Sequence, residues 1–314
     1  MASIAAKPAR LRLSMLALGM FTSCTAAFAQ QQQQEPARGA VAGIRVVPGV
    51  TISTDMCPIE EIRATTQDKR NIRAFYRKPP GDGPFPAVIC IHGGMGFVGE
   101  NNLKGALLGN VIYTRFLAAG FVTVAANYRT YRETPKARGP IWDCLAIVED
   151  VKKLPEVDPN SIAVFGGSGG GSIALELAGL IPLTAVICGE PATMLFCGML
   201  ENGEFDKHEE VWANPLKHYT VERKKLTQNK IRQITCPILI LHSDQHALKK
   251  LNKEIFLPEL KAAGVQVEYK EYPGNPHGFY WGVRTTKKTV DTFMADVHSF
   301  LKSRLKTKAR PFRF

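Results

Sequence analysis

The sequence predicts an α/β domain: a mainly parallel β-sheet with helices on both faces and a lid inserted near its carboxyl edge. Three observations carry this. From Pro86 onward, short apolar runs alternate with amphipathic stretches. Runs such as "PAVICI" and "CPILIL" are apolar throughout, as strands covered on both faces are. The stretch from Pro191 to Thr235 separates two strand-like runs by far more than an ordinary loop, as a lid would. With 314 residues, 45% hydrophobic and 22% charged, the chain is long enough for one large core, and it shows neither internal repeats nor a second core.

The N-terminus reads as a targeting segment. Lys7, Arg10 and Arg12 precede the apolar run "LSMLALGMF", and the small-x-small site Ala27–Ala29 precedes "QQQQQEP". The expected organisation is a signal peptide over 1–29, a linker and N-terminal extension over 30–58, and one domain over 59–314 with the lid at about 191–235. Such a chain would be secreted or periplasmic. No internal run of about 18 apolar residues suggests a membrane span.

In chain order, "EEIRATTQDKRNIRAFYRKP" reads as two strands around a turn at Gln67 to Arg70. "PAVICIHGG" is a buried strand, "VIYTRFLAAG" a helix closed by Gly120, and "FVTVAANYR" a strand. "WDCLAIVEDVKKL" is a helix with Trp142, Leu145, Ile147, Val148 and Val151 on its apolar side. "SIAVFGG" is a strand, "SIALELAGL" a helix and "TAVICGEP" a strand. "CPILILHS" and "VQVEYKEYP" are strands flanking a helix near "LNKEIFLPELKAAG". Over Thr289–Leu305, Val290, Phe293, Met294, Val297, Phe300 and Leu301 recur with helical period.

The net charge of +12 is concentrated at the ends, with three charges before Gln30 and six in "LKSRLKTKARPFRF". A basic tail of this kind reads as a solvated end rather than a nucleic-acid surface. Cys57, Cys90, Cys144, Cys188, Cys197 and Cys236 remain after the expected cleavage. Export permits disulfides, but the spacing is irregular, and Cys90 and Cys188 lie in buried runs where free thiols are as reasonable. No pair has zinc-site spacing, and no metal is expected.

Three stretches carry chemistry. "GGSGG", Gly166 to Gly170, places Ser168 between a strand and a helix, where a strained turn lifts the hydroxyl above the sheet edge and aims the Gly169 N–H into the site. A phosphate loop would need Gly-Lys-Ser/Thr, which is absent. "IHGGMGF" follows a strand upstream, and its turn frees N–H groups near Gly94 and Met95 to face an oxyanion; His92, at the strand exit among glycines, reads as structural. "YPGNPHGFYWG" places His277 in the loop after the last strand, where a general base can reach a serine.

Together with the strand order, "DPNSIAVFGGSGGG", "ICIHGG" and "LKAAGVQVEYKEYPGNPHGF" resemble the α/β-hydrolase superfamily over about Ile59 to Leu305, and most closely its dienelactone hydrolase-like and prolyl-oligopeptidase-like serine esterases. The resemblance implies an eight-stranded sheet, a Ser-acid-His order, hydrolysis through an acyl-enzyme and no cofactor. By position it makes Ser168 the nucleophile, His277 the base, and Gly94, Met95 and Gly169 the oxyanion hole. The true dienelactone hydrolases use cysteine, so Ser168 places the chain on the serine esterase side.

The acid departs from the pattern. The strand ending "LILH" normally continues H-G-x-x-D, but His246 stands where the aspartate belongs. Asp244, two residues early, is one replacement: two residues of extended chain return to the same face. Glu190 in "VICGEPA", at the exit of the preceding strand, is the other, since some relatives place their acid there. Both remain open. His242 and His246 flank Asp244, but a strand exit does not align them for a metal. The reading is an exported hydrolase for a small-molecule or carbohydrate-linked ester. A peptidase on the same scaffold and a non-catalytic binding protein are the alternatives. The lid's Phe196, Phe205, Trp212 and Tyr219 beside Lys207, Lys217 and Arg223 would suit a carbohydrate, aromatic or carboxylate-bearing ester, or are plain packing.

Overall fold

The computed structural model describes residues 46–134, 138–200, 207–244 and 248–312. The expected signal peptide, lid residue Phe205 and loop residue His246 lie outside the described residues. The strands in chain order are β1 (Glu60–Thr65), β2 (Asn71–Arg77), β3 (Phe85–Ile91), β4 (Val122–Ala126), β5 (Val157–Gly167), β6 (Ala185–Gly189), β7 (Ile238–His242) and β8 (Val267–Glu271). The helices that position the site are α1 (Glu100–Gly109), α2 (Val111–Ala118), α3 (Gly139–Val151), α4 (Gly169–Leu180), α5 (Thr193–Phe196), α6 (His208–Ala213), α7 (Val221–Ile231), α8 (Leu257–Ala262) and α9 (Lys287–Lys302).

The strands form one sheet in the order β1-β2-β4-β3-β5-β6-β7-β8. β2 pairs antiparallel with β1 and β4, and all pairs from β4 to β8 are parallel. The all-apolar runs follow from burial on both faces. Ile89, Ile91, Val164 and Val186 point into one core, and Val88, Cys90, Phe165 and Ile187 into the other. The first core is closed by α3, α4 and α8 through Ile147, Val151, Ile173, Leu177 and Leu260. The second is closed by α1, α2 and α9 through Leu103, Ile112, Phe116, Phe293 and Val297. The expected sheet and its two helical layers are therefore present, and the parallel strands bring their carboxyl ends to one edge.

Between β6 and β7 the chain forms α5, α6 and α7, and Met194, Phe196, Val211 and Ile231 join the first core. The helical segment that follows β7 begins as a π-turn, Leu251–Phe256, before α8.

At four places the structure adds to or differs from these expectations. Helix α1 lies in "ENNLKGALLG", whose two glycines and polar residues give little helical period. The last helix is Lys287–Lys302 rather than Thr289–Leu305, because Thr286 caps it by accepting from Thr289 N at 3.1 Å. Residues 46–58, the end of the expected linker and N-terminal extension, are packed on the domain. Ile52 and Cys57 are buried with Leu117, and the fully buried Arg77 donates to the carbonyls of Cys57 at 2.7 Å, Ile52 at 2.8 Å and Ser53 at 2.9 Å. A buried guanidinium must find acceptors, and this segment supplies them. The basic tail is also docked: Thr307 N donates to Ser161 Oγ at 2.8 Å and Phe312 N to Ala118 O at 3.4 Å.

Candidate active site

β5 ends at Gly167 and α4 begins at Gly169, leaving Ser168 at φ 50°, ψ −115°. A side-chain-bearing residue with positive φ costs about 1–3 kcal/mol and persists only where its surroundings hold it. Here Ser168 N donates to Gly189 O at 2.9 Å, and Ser168 O accepts from Ala192 N at 2.8 Å and Gly171 N at 3.0 Å. Bonds to the exit of β6 and to the first turn of α4 thus fix the strained turn.

The loop after β3 lies against this turn. Gly94 has φ 91°, and a methyl group on Gly169 would sit 2.2 Å from Gly94 O. The Tyr128 hydroxyl lies 3.1, 3.3 and 3.0 Å from the carbonyl oxygens of His92, Gly93 and Gly94, and Asn127 brackets Val98 through both its N–H and its C=O. With those carbonyls occupied, the N–H groups of Gly94, Met95 and Gly169 have no partner among the described residues. Free, fixed donors beside a raised serine are what a developing oxyanion requires.

His277 enters from the loop after β8, and two glycines make this possible. Tyr280 lies across the ends of β5 and β6, where a methyl on Gly167 would come within 2.3 Å of its ring and one on Gly189 within 2.2 Å. Both strands must end in glycine for the Phe279–Trp281 turn, and His277 with it, to reach the sheet edge beside Ser168. No hydrogen bond joins Ser168 Oγ to His277 among the described residues.

Of the two candidate acids, Glu190 is the one brought to His277. Its Oε2 lies 2.7 Å from His277 Nδ1 and accepts from Gly278 N at 3.2 Å. Glu190 is fully buried and has φ 43°, a second strained residue at this edge. Asp244 is exposed, and its Oδ1 accepts from Gly274 N at 2.8 Å, which makes it a loop brace. The Glu190–His277 contact favours the tautomer with the proton on Nδ1, in which Nε2 is the basic nitrogen.

Sequence reasoning missed the residues that build this edge: Tyr128, Tyr280, Ser243 and Asn252. Ser243 donates to Glu190 Oε1 through both its N–H, at 3.1 Å, and its hydroxyl. Asn252, on the π-turn, donates to Pro191 O and approaches His242 Nε2, both at 3.1 Å. The one available signal was a serine where the H-G-x-x-D pattern has glycine.

The remaining candidates have structural roles. His92 is buried, stacks on Tyr128 with ring centroids 4.3 Å apart, and lies 2.7 Å from Gly93 O through Nδ1. Burial pushes its pKa down to about 4, and burial lowers that of His242 as well. Because a buried histidine depressed in this way binds its proton more readily once unfolded, stability is complete above the ordinary value near 6.5 and falls as pH drops toward 4. The wild type is expected to lose about 2 kcal/mol more than a His92→Asn variant between about pH 7 and pH 5, measured by urea unfolding. Equal losses would contradict this.

Phe196 packs edge-on to Phe256, and Lys217 pairs with exposed Glu210, so these lid residues are packing and surface. Tyr219 packs against the first core. Among the described lid aromatics Trp212 alone is in ring contact with the site, edge-on to the His277 ring with centroids 6.4 Å apart. All six described cysteines are free and buried, and burial pushes their thiols up, which leaves them unreactive. Among the described residues no group of three or more His, Cys, Asp or Glu side chains could hold a metal ion, and no helix is long and apolar enough to cross a membrane.

The BD-FAE family model matches residues 74–187, from β2 through the elbow to β6. The acetyl esterase Axe7A of Xylanibacter ruminicola is 31% identical over 227 residues, covering 60% of this chain and 48% of that protein. The 2,6-dihydropseudooxynicotine hydrolase of Paenarthrobacter nicotinovorans is 26% identical over 191 residues, covering 54% and 46%. The chain thus spans about half the length of these relatives. A bacterial heroin esterase structure superposes with a TM-score of 0.65 at 19% identity, covering 91% of each chain. At that identity the likeness is one of fold.

Proposed function

We propose that this chain, which belongs to the α/β-hydrolase superfamily, is an exported serine esterase that cleaves a carboxylic ester through an acyl-enzyme. The observation that carries the reading is the buried Glu190–His277 contact of 2.7 Å beside the strained Ser168.

Ser168 Oγ attacks the ester carbonyl carbon and passes its proton to His277 Nε2. Glu190 holds the Nδ1 proton and stabilises the imidazolium that forms. The carbonyl oxygen becomes an oxyanion that accepts from the N–H groups of Gly94, Met95 and Gly169. Collapse expels the alcohol, which takes the proton from Nε2. Water then enters and attacks the acyl carbon, giving its proton to His277, and the second collapse releases the carboxylic acid as His277 Nε2 returns that proton to Ser168 Oγ. The Ser168–His277 hydrogen bond that this requires forms when substrate occupies the site.

Trp212, edge-on to His277, suits an alcohol portion with a flat or ring-shaped face. The likeness to an acetyl esterase favours a short acyl group, and an acetylated carbohydrate meets both conditions. The segment Lys7 to Ala29 supports export to the periplasm or medium. Treating the purified protein with a fluorophosphonate is expected to label Ser168 stoichiometrically and to stop acetate release from acetylated oligosaccharide. A protein that hydrolyses esters yet is unlabelled at Ser168 would overturn the mechanism.

A further inference from the structure

Ser243 is the first residue after β7 and is fully buried. Both its N–H and its hydroxyl donate to Glu190 Oε1, while Oε2 faces His277 and Gly278 N. A carboxylate with no exposed surface stays charged only where protein donors replace water. Ser243 supplies such donors on the side away from His277.

Ser243 is itself held in place. His242 Nδ1 lies 2.8 Å from Ser243 O, and His242 Nε2 lies 3.1 Å from the Asn252 amide nitrogen. That amide also donates to Pro191 O at 3.1 Å, and its oxygen accepts from the Thr193 hydroxyl. His242 therefore carries its proton on Nδ1 and donates it to Ser243 O as a neutral ring, which agrees with its burial. Asn252 ties this histidine to the segment that follows Glu190. The network links the exit of β6, which carries the carboxylate, to the exit of β7, which carries the hydroxyl. Serine here occupies the glycine position of the H-G-x-x-D pattern, and the carboxylate reaches the histidine from the neighbouring strand.

We infer that Ser243 is a positioning residue: its hydroxyl fixes Glu190 Oε1 and stabilises the anion, so that Oε2 is presented to His277 Nδ1. This rests on the reading of Ser168, His277 and Glu190 as one catalytic unit. The other groups facing Glu190 are His242, whose Nδ1 is 3.9 Å from Oε1, and Tyr269, stacked on His242 at 6.0 Å and held neutral by burial. Lys249 and Lys253, on the same side, are paired with Glu271. Burial disfavours the charged form of both His242 and Tyr269.

The experiment compares Ser243→Ala and Ser243→Gly, which remove the hydroxyl but keep the backbone donor, with wild type and Ser243→Thr, which keeps it. The readout is kcat and the pH profile of kcat/KM on p-nitrophenyl acetate. Loss of a hydrogen bond to a buried anion is expected to lower kcat by about 10–100-fold with KM nearly unchanged. The acid limb is expected to move up by about one pH unit, because the less stabilised pair holds its proton to higher pH whichever partner carries it. Ser243→Thr is expected to keep the wild-type limb. A purely structural role would lower stability or kcat and leave the limb in place, and that result overturns the inference. So does native kcat in the Ala and Gly variants. Fluorophosphonate labelling of wild type runs alongside. An unlabelled wild type overturns the catalytic reading and this inference together, whereas a labelled wild type with unshifted variants overturns this inference alone.

Discussion

Ser168→Ala is expected to lower kcat on an activated ester by about 10⁶, with a folded protein and little change in KM. The elbow is held by backbone bonds from Gly189, Ala192 and Gly171, none of which involves the hydroxyl. Alanine therefore keeps the turn and its φ of 50°. The donors at Gly94, Met95 and Gly169 also remain, so a residual acceleration of roughly 10³–10⁴ over the uncatalysed reaction should survive. The loss falls on the chemical step, and among the described residues the tyrosines beside the elbow and the cysteines offer no substitute. Tyr128 and Tyr131 are buried and occupied with backbone carbonyls, and the cysteines are buried. The measurement is single-turnover hydrolysis of p-nitrophenyl acetate beside far-UV circular dichroism. A folded variant retaining more than about a hundredth of native kcat would refute covalent catalysis at Ser168.

The parts legible in the sequence were those encoded locally. β3, β5, β6 and β7 are runs of consecutive apolar residues because they are buried on both faces, and no alternating pattern competes with that reading. Ser168 announces itself because a strained turn between strand and helix needs small neighbours within two residues. His277 is flagged by the glycine-rich loop that carries it. The parts missed are those whose meaning lies across the fold. Arg77 reads as an ordinary strand arginine, yet its side chain is fully buried and orders residues 46–58 through three carbonyls. Thr307 and Phe312 dock the basic tail through backbone N–H groups, which leave no mark on side-chain periodicity. Gly167 and Gly189 lie about 110 and 90 residues in sequence from the ring of Tyr280 that requires them. The acid stayed open for the same reason. Which carboxylate meets His277 depends on how the loop after β8 crosses the ends of β6 and β7, and no spacing within "LHSDQH" or "CGEPA" encodes that crossing.

Glu190→Gln is expected to lower kcat by about 10⁴, and Asp244→Asn by less than about twofold. Glutamine matches glutamate in shape but replaces one acceptor oxygen by a donor. Glu190 meets donors on both sides: the Ser243 N–H and hydroxyl at Oε1, and His277 Nδ1 with Gly278 N at Oε2. An amide turned with its nitrogen toward His277 can be satisfied only if the imidazole moves its proton to Nε2, and that tautomer cannot accept from Ser168. Turned the other way, the amide nitrogen opposes the Ser243 N–H in a site with no exposed surface, while the Ser243 hydroxyl turns to accept from it, and the amide offers His277 a neutral dipole in place of an anion. Either orientation removes the charge that stabilises the imidazolium in the transition state. Asp244 presents a different case. It is exposed and its single described bond is to Gly274 N, which an asparagine oxygen accepts equally well. The two variants are assayed side by side for kcat on p-nitrophenyl acetate. Reversed losses would move the acid to the exit of β7, and equal mild losses would refute a carboxylate-supported histidine altogether. The asymmetry is expected to be large because a buried anion has no solvent to take its place, whereas a loop brace in water does.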